Sequence, residues 1–327
     1  MNIMKVKTIA VLTSGGDAPG MNTCVRAVVR SACAYKMKVI AVMNGLQGLI
    51  DGDFHEFGPR NVSGIVHKGG TILGTARSKE FRTKTGRKKA AKNIKNAGID
   101  ALIIIGGDGS FRGGHELSKD FGIPFVGLPG TIDNDMYGTD YTIGFDTAVN
   151  TAVQAIDKIR DTAESHHRLF FVEVMGRNSG AIAVEAAIAG GAEMALIPEV
   201  KTDINALIKS IREQKDAGKK SAIIIVAEGD DAGSATEISE KIYKIVGTKG
   251  HVCVLGHIQR GGHPSARDRT LASRLGNAAV KALKSGKTNV LVGELKGSIA
   301  FTPVTTVVKK KKKADLKQEQ LARLLGT

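Results

Sequence analysis

The chain contains no tryptophan, and aromatic residues make up only 4% of its 327 positions. Basic and aromatic residues do not interleave, so no base-stacking platform is expected and nucleic acid is not an expected partner. Cysteine is nearly absent: Cys24, Cys33 and Cys253 form no C-x-x-C pair and no cluster with histidine. That excludes a disulfide framework or zinc knuckle and suits reduced thiols, each read as a small buried hydrophobe. Long apolar runs are missing too. The stretch at 9–12 is broken by glycines and is too short for a signal segment or a membrane span, so a soluble cytoplasmic protein with no membrane partner is expected. Acid is scarce, with 32 Asp and Glu against 47 Lys and Arg, for a formal net charge of +15. The excess points to polyanionic partners. Five consecutive lysines at 309–313 read as a solvated connector before a last helix.

What is abundant is glycine, at 40 residues, in a chain that is 42% hydrophobic. The glycines fall at junctions between apolar runs and amphipathic segments, as in α/β enzymes. Strands are predicted at 8–12, 39–43, 101–105 and 124–128, with helices at 21–34 and 88–96. Val149, Val153, Ile156 and Ile159 recur at helical spacing and predict a helix over 147–160. A second series follows: strands at 169–174, 194–197 and 222–227, and helices at 179–189, 203–215, 235–246 and 267–283. Both series run from a strand into a glycine turn and then a helix. The fold class expected is α/β: two similar lobes, each a mostly parallel sheet flanked by helices, with the active site in the cleft between them.

Two glycine loops end apolar runs and carry acids. Gly106-Gly107-Asp108-Gly109-Ser110 follows residues 101–105, and Pro129-Gly130-Thr131-Ile132-Asp133-Asn134-Asp135 follows residues 124–128. Strands of this kind are buried on both faces of a parallel sheet, and ligands sit at their carboxyl ends. Glycines let backbone N–H groups approach phosphates, and a lone Asp can hold a divalent metal through oxygen. Read alone, each loop is equally a helix start or an ordinary turn. No Walker A loop occurs, and no complete G-x-G-x-x-G, since Arg112 stands where the third glycine should fall. Leu255-Gly256-His257-Ile258-Gln259-Arg260-Gly261-Gly262 adds a His, a Gln and an Arg between glycines after an apolar run.

Taken together these segments closely resemble the phosphofructokinase family in its bacterial, ATP-using form. The matches are GGDAPGMN at 15–22, GGT with GTAR at 69–77, GGDGS at 106–110 and PGTIDND at 129–135. They continue with GTDYTIGFDTA at 138–148, VEVMGR at 172–177, IAGG at 188–191 and LGHIQRGG at 255–262. The resemblance implies transfer of the γ-phosphoryl of MgATP to the 1-hydroxyl of fructose 6-phosphate. On matching positions, Gly15, Arg77, Ser78, Gly107, Asp108, Gly109 and Ser110 would hold ATP, with Asp108 on Mg²⁺. Asp133 would be the general base, and Thr131 and Arg177 would orient and stabilise the moving phosphoryl. An ordinary Asp carboxyl near ~3.9 is a weak base, which a loose transition state tolerates. Thr131, Ile132, Asp133, Met175, Gly176, Arg177 and Glu228 would hold the sugar. His257, Ile258, Gln259 and Arg260 would grip the 6-phosphate end, with Arg168 and the residue at 251 reaching in from a neighbouring subunit. Arg26, Arg30, Arg160, Gly191, Glu193, Lys219 and Lys220 match an effector site for ADP or phosphoenolpyruvate, and a homotetramer is implied. A larger ATP-binding lobe is expected over 1–143 and 258–303, and a smaller fructose 6-phosphate lobe over 144–257 and 304–327.

Pyrophosphate-using members carry Asp in place of Gly109 and Lys in place of Gly130; this chain has glycine at both, which favours ATP over the pyrophosphate-dependent alternative. Two departures stand out. His251 replaces the usual arginine, which predicts a raised KM for fructose 6-phosphate that falls below pH ~6.5 as the ring gains charge. Ala217 and Ser221 stand where basic residues are common, so effector response is expected to be weak or differently tuned. A lipid or NAD kinase would share GGDG but not PGTIDND or LGHIQRGG. A non-catalytic polyanion binder on the same scaffold would not need Asp108, Thr131, Asp133 and Arg177 intact.

Overall fold

The computed structural model describes residues 6–326. Positions 1–5 and 327, the outer limits of the expected lobes, lie outside them. In chain order the elements are β1 (Thr8–Ser14), α1 (Met21–Ala34), β2 (Lys38–Val42), α2 (Gly45–Asp51), β3 (Phe54–Glu56), α3 (Lys84–Asn96), β4 (Ala101–Gly106), α4 (Asp108–Phe121), β5 (Phe125–Pro129) and α5 (Phe145–His166). They continue as β6 (Leu169–Val174), α6 (Ala181–Gly190), β7 (Met194–Leu196), α7 (Ile204–Asp216), β8 (Ala222–Ala227), α8 (Ala235–Val246) and β9 (Gly250–Val254). Last come α9 (Ala266–Lys284), β10 (Val290–Leu295), β11 (Ser298–Pro303), α10 (Val304–Val307) and α11 (Leu316–Leu325). The α/β class is as expected. Sequence periodicity missed α2 and the strands β3, β9, β10 and β11, whose apolar content is too short or too interrupted to show a period.

The chain forms two compact units. The first comprises Met1–Thr131, Met136–Asp146 and Arg260–Lys311; the second comprises Ile132–Asp135, Thr147–Gln259 and Lys312–Thr327. These limits part from the boundaries drawn on the sequence at 143/144, 257/258 and 303/304, and put residues 132–135 with the second unit. Val304 and Val307 are buried, Val307 beside Phe111, Met136 and Leu291, so α10 packs within the first unit.

The first unit is built on a seven-stranded sheet of order β11-β10-β5-β4-β1-β2-β3. Its five central strands are parallel, and β3 and β11 close the edges antiparallel. β4 is buried along all six residues, which its unbroken apolar sequence requires. The connection from β1 runs to β2 on one side and that from β4 to β5 on the other, so neighbouring β1 and β4 flank a topological switch point. Helix α9 lies close against α1 because Gly276 leaves room: a Cβ there would come within 2.8 Å of the Ala27 methyl. The second unit carries a four-stranded parallel sheet of order β7-β8-β6-β9. Its core gathers Leu169, Phe171, Leu207, Ile224, Val226, Ile238 and Ile242. Both sheets repeat the strand, glycine turn and helix plan, but differ in size. Cys24 is buried, whereas Cys33 and Cys253 are only half-buried, which corrects their reading as core residues.

The lysine run is not a free connector. Lys311 pairs with Met136 as an antiparallel bridge, and the Lys312 N–H donates to the Asp135 carbonyl at 3.1 Å.

Gly127 on β5 faces the Phe111 ring of α4, where a Cβ would come within 2.6 Å. Gly127→Ala is therefore expected to lower unfolding free energy by about 1–3 kcal/mol through overpacking, measured by denaturant titration against the wild type.

Candidate active site

In the first unit, three loops emerge side by side. Register places Ser14 opposite Gly106 and Gly106 opposite Pro129, so the turns after β1, β4 and β5 align at the switch point. The Gly130 N–H donates to the Gly106 carbonyl at 3.0 Å. Side chains would break this packing. A Cβ at Gly106 would meet the Ser14 carbonyl at 2.4 Å and Ser110 Oγ at 2.6 Å; one at Gly130 would meet Ile105 at 2.9 Å and Met21 at 3.1 Å. Gly15 takes a φ of 91°, a left-handed conformation that favours glycine. Thr75 Oγ1 donates to the Gly15 carbonyl at 2.8 Å and fixes that turn.

Helix α4 starts at Asp108 with no side-chain cap, and its first turn contains Gly109 and Ser110. Its N–H groups and dipole form an anion-accepting end at the switch point. A Cβ at Gly109 meets nothing within 4 Å, so any side chain there would project into open space. Asp108 is one-quarter exposed and its Oδ2 accepts from Arg112 Nε at 3.0 Å, a partner that sequence reasoning noted only as a missing glycine. No group of three or more His, Cys, Asp or Glu among the described residues could cage a metal. A single carboxylate beside a phosphate-accepting loop suits Mg²⁺, which keeps several waters and takes one or two carboxylates plus substrate phosphates.

Of the other expected ATP residues, Arg77 is exposed. Ser78 is turned inward: its hydroxyl donates to Gln47 Oε1 at 2.6 Å and accepts from the Phe81 N–H at 3.0 Å. Arg260, expected on a sugar phosphate, lies in this unit against the first glycine turn. Its Nη1 donates to the Asp17 carbonyl at 3.2 Å, and the missing side chain of Gly16 makes room for the guanidinium.

In the second unit, the turn after β6 and the loop 132–135 come together. Gly176 has a φ of 142° and Arg177 one of 53°. Glu228 holds this turn: its Oε1 accepts from the Arg177 N–H at 2.7 Å and the Gly176 N–H at 3.3 Å. Gly229 allows the approach, since a Cβ there would lie 1.9 Å from the Arg177 carbonyl oxygen. The result is Arg177 Nε 3.9 Å from Asp133 Oδ2, with the carboxylate buried and the guanidinium half exposed. A long, partly solvated ion pair of this kind contributes little to stability. It does set a cation beside a carboxylate that could accept a proton.

His257 and Ile258 are exposed on the 3-10 turn Gly256–Arg260. Gln259 and Ile132 have no exposed surface, so neither presents itself to a ligand here. Gln259 instead accepts from the Met175 N–H at 3.3 Å and donates to the Gly256 carbonyl at 3.1 Å, tying the turn after β9 to the turn after β6. Arg168 and His251 sit at the opposite, amino end of β6 and β9, His251 in register with Phe170 and stacked near its ring. Burial, then the charges of Arg168 and Lys249, hold the His251 imidazole below its ordinary value of 6.5.

The chain matches the family described as Phosphofructokinase over residues 8–283. The chain belongs to the phosphofructokinase family. It is 52% identical over 321 residues to "ATP-dependent 6-phosphofructokinase 1" of Thermus thermophilus, covering 98% of this chain and 100% of that one. It is also 52% identical over 308 residues to "ATP-dependent 6-phosphofructokinase" of Cytophaga hutchinsonii, covering 94% of each. Among solved structures it superposes on phosphofructokinase from Saccharomyces cerevisiae with a TM-score of 0.86 and 39% identity, over 93% of this chain and 45% of the yeast chain.

Part of the effector constellation expected in this phosphofructokinase is gathered in the second unit. Arg160 Nη2 donates to the Gly190 and Gly191 carbonyls at 2.5 and 2.7 Å. Glu193 is buried and accepts from Lys219 Nζ at 3.1 Å and the Ile223 N–H at 2.5 Å. Lys220 is exposed, and Arg26 and Arg30 lie on α1 of the first unit.

Gln259→Leu would leave the Met175 N–H and the Gly256 carbonyl without their side-chain partner. It is expected to cost about 1–3 kcal/mol of stability, read from denaturant midpoints, with Gln259→Glu keeping the acceptor but not the donor.

Proposed function

We infer that this chain is an ATP-dependent 6-phosphofructokinase of glycolysis. It transfers the γ-phosphoryl of MgATP to the 1-hydroxyl of fructose 6-phosphate, giving fructose 1,6-bisphosphate and ADP. The observation that carries the chemistry is the buried Asp133 carboxylate set beside Arg177 on a turn that Glu228 holds. Asp133 takes the proton of the 1-hydroxyl as that oxygen bonds to the γ-phosphorus and the bond to the bridging oxygen of ADP breaks. Arg177 neutralises charge on the passing phosphoryl, and Thr131 orients it. In a loose transition state, position and charge neutralisation dominate, so a modest base suffices. Asp108 would hold the Mg²⁺ that arrives with ATP. We assign the first unit, with Gly15, Arg77, Ser78 and residues 107–110, to ATP, and the second, with Met175, Gly176, Arg177, Glu228 and His257, to the sugar.

Donor choice follows from two glycines. Aspartate at 109 would fit the chain but send negative charge from the amino end of α4 into the open space above it. Lysine at 130 would collide with Ile105 and Met21. Both features favour ATP over pyrophosphate.

Arg168 and His251 cannot share a sugar with Gly176 and His257 of the same chain. They lie at opposite ends of β6 and β9, and six residues of strand span about 20 Å. This supports their reaching the 6-phosphate of a neighbouring subunit, as in a homotetramer. ADP or phosphoenolpyruvate would act at Arg160, Glu193, Lys219 and Lys220 with Arg26 and Arg30. No helix among the described residues is long and apolar enough to cross a membrane. As an enzyme of glycolysis it would act in the cytoplasm.

Fructose 1,6-bisphosphate should form from fructose 6-phosphate, Mg²⁺ and ATP but not pyrophosphate, and Asp133→Ser should lose most of that turnover. Activity with pyrophosphate would overturn the donor assignment, and an active Asp133→Ser the base.

His251 is cationic only below its depressed value, so its help to the phosphate should come in more acid solution than pH 6.5. The ratio of fructose 6-phosphate KM between wild type and His251→Arg removes the titration of the substrate itself. It should approach roughly tenfold at pH 7.5, the worth of one charged contact, and shrink toward unity as the solution is made acid enough to protonate His251, below pH 6.5. A ratio independent of pH would exclude His251 from the phosphate.

A further inference from the structure

The loop that carries Asp133 is closed at both bases by main-chain pairing. On the near side, Gly130 bridges Ile143 in parallel; the Thr131 N–H donates to the Ile143 carbonyl at 3.1 Å and the Ile143 N–H to the Pro129 carbonyl at 2.8 Å. On the far side the partner is the lysine run. Lys311 bridges Met136, and the Lys312 N–H donates to the Asp135 carbonyl, two residues from Asp133.

The run is itself anchored along its length. Lys309 and Lys310 N–H groups donate to the Thr306 carbonyl at 3.2 and 3.0 Å. Met136, opposite Lys311, is buried with Phe111, Leu291 and Val307. Beyond the run, the Ala314 N–H donates to Glu199 Oε1 at 3.0 Å, and the Glu199 carboxylate also accepts the Gly180 N–H, three residues past Arg177. The side chains of Lys309, Lys310, Lys311 and Lys313 point outward. The helix α10 ends at Val307, two residues before the run, and the chain beyond Lys310 leaves helical pairing for the bridge to Met136.

We propose that the main chain of Lys311 and Lys312 is a positioning strap for the Asp133 loop. The proposal rests on Asp133 being the base. It assigns the run a part in turnover that a solvated connector would not have, because a displacement of about 1 Å at a reacting group costs on the order of a hundredfold in rate.

The test compares Lys312→Pro, which deletes the donated N–H, with Lys312→Gln, which keeps it. Lys312→Pro should lower kcat by roughly tenfold to a hundredfold while the KM for ATP stays within about a factor of two of wild type. Lys312→Gln should match wild type in both. If Lys312→Pro does not fold, an ester in place of the 312 amide removes the same donor without the ring. In an Asp133→Ser background, Lys312→Pro should add no further loss, because the strap acts through Asp133. Unchanged kcat on losing the N–H, an equal loss in Lys312→Gln, or a full additional loss in the Asp133→Ser background would each overturn the strap. An Asp133→Ser protein with wild-type kcat would overturn the base itself, whatever the strap does.

Discussion

The loop-bearing end of the first unit depends on three parallel strands ending level. Ser14, Gly106 and Pro129 stand in one row across β1, β4 and β5, and the chain turns out of the sheet at each. The row can close only because Gly106 and Gly130 have no side chains: Ser14, Ser110, Ile105 and Met21 occupy the space a Cβ would need. Glycine therefore does steric work here, letting backbones lie against one another. The switch of connection direction between β1 and β4 puts the turns that follow them where ligands bind in open α/β sheets.

The second unit solves a different problem, that of presenting a guanidinium from a turn. Gly176 and Arg177 both adopt positive φ, which for arginine is unfavourable and must be held by its surroundings. Glu228 does this with one carboxylate oxygen on two N–H groups, Gly229 by letting the Arg177 carbonyl approach, and Gln259 by bonding the neighbouring Met175. Residues that resemblance assigns to the substrate thus spend their polar atoms on backbone. Glu228 and Gln259 fix the shape of the turn that bears Arg177.

Charge is distributed with the same economy. Arg260 lies on the Gly16 turn, Arg160 on the carbonyls that end α6, and Lys219 on buried Glu193. Much of the basic excess is thus committed to backbone carbonyls or to single carboxylates. The lysine run differs, with four exposed side chains on a main chain whose Lys309, Lys310 and Lys312 N–H groups are all donated to carbonyls.

Much of the fold was legible because its period is strong. The 21–34, 169–174, 222–227 and 235–246 segments occur as read, each being an unbroken apolar run or a clean amphipathic helix. The edge strands β3, β9 and β11 were not legible, since exposed edges carry mixed residues and owe their pairing to a neighbour. Within the site, the motif residues named Asp108, Asp133 and Arg177, and the i, i+4 spacing of Asp108 and Arg112 could have announced their pairing. Nothing local announced that Gln259 is wholly buried, that Arg260 rests on Gly16, or that a polylysine segment pairs with a loop 175 positions earlier in the chain (Met136 with Lys311). By itself the sequence determined which strands are buried, where the glycine turns fall and which acids and bases those turns carry, because these depend on side-chain period and local φ preference. Only the tertiary structure decided which of those polar groups face outward and which are spent on the backbone, because hydrogen-bond partners far apart in the chain are chosen by packing.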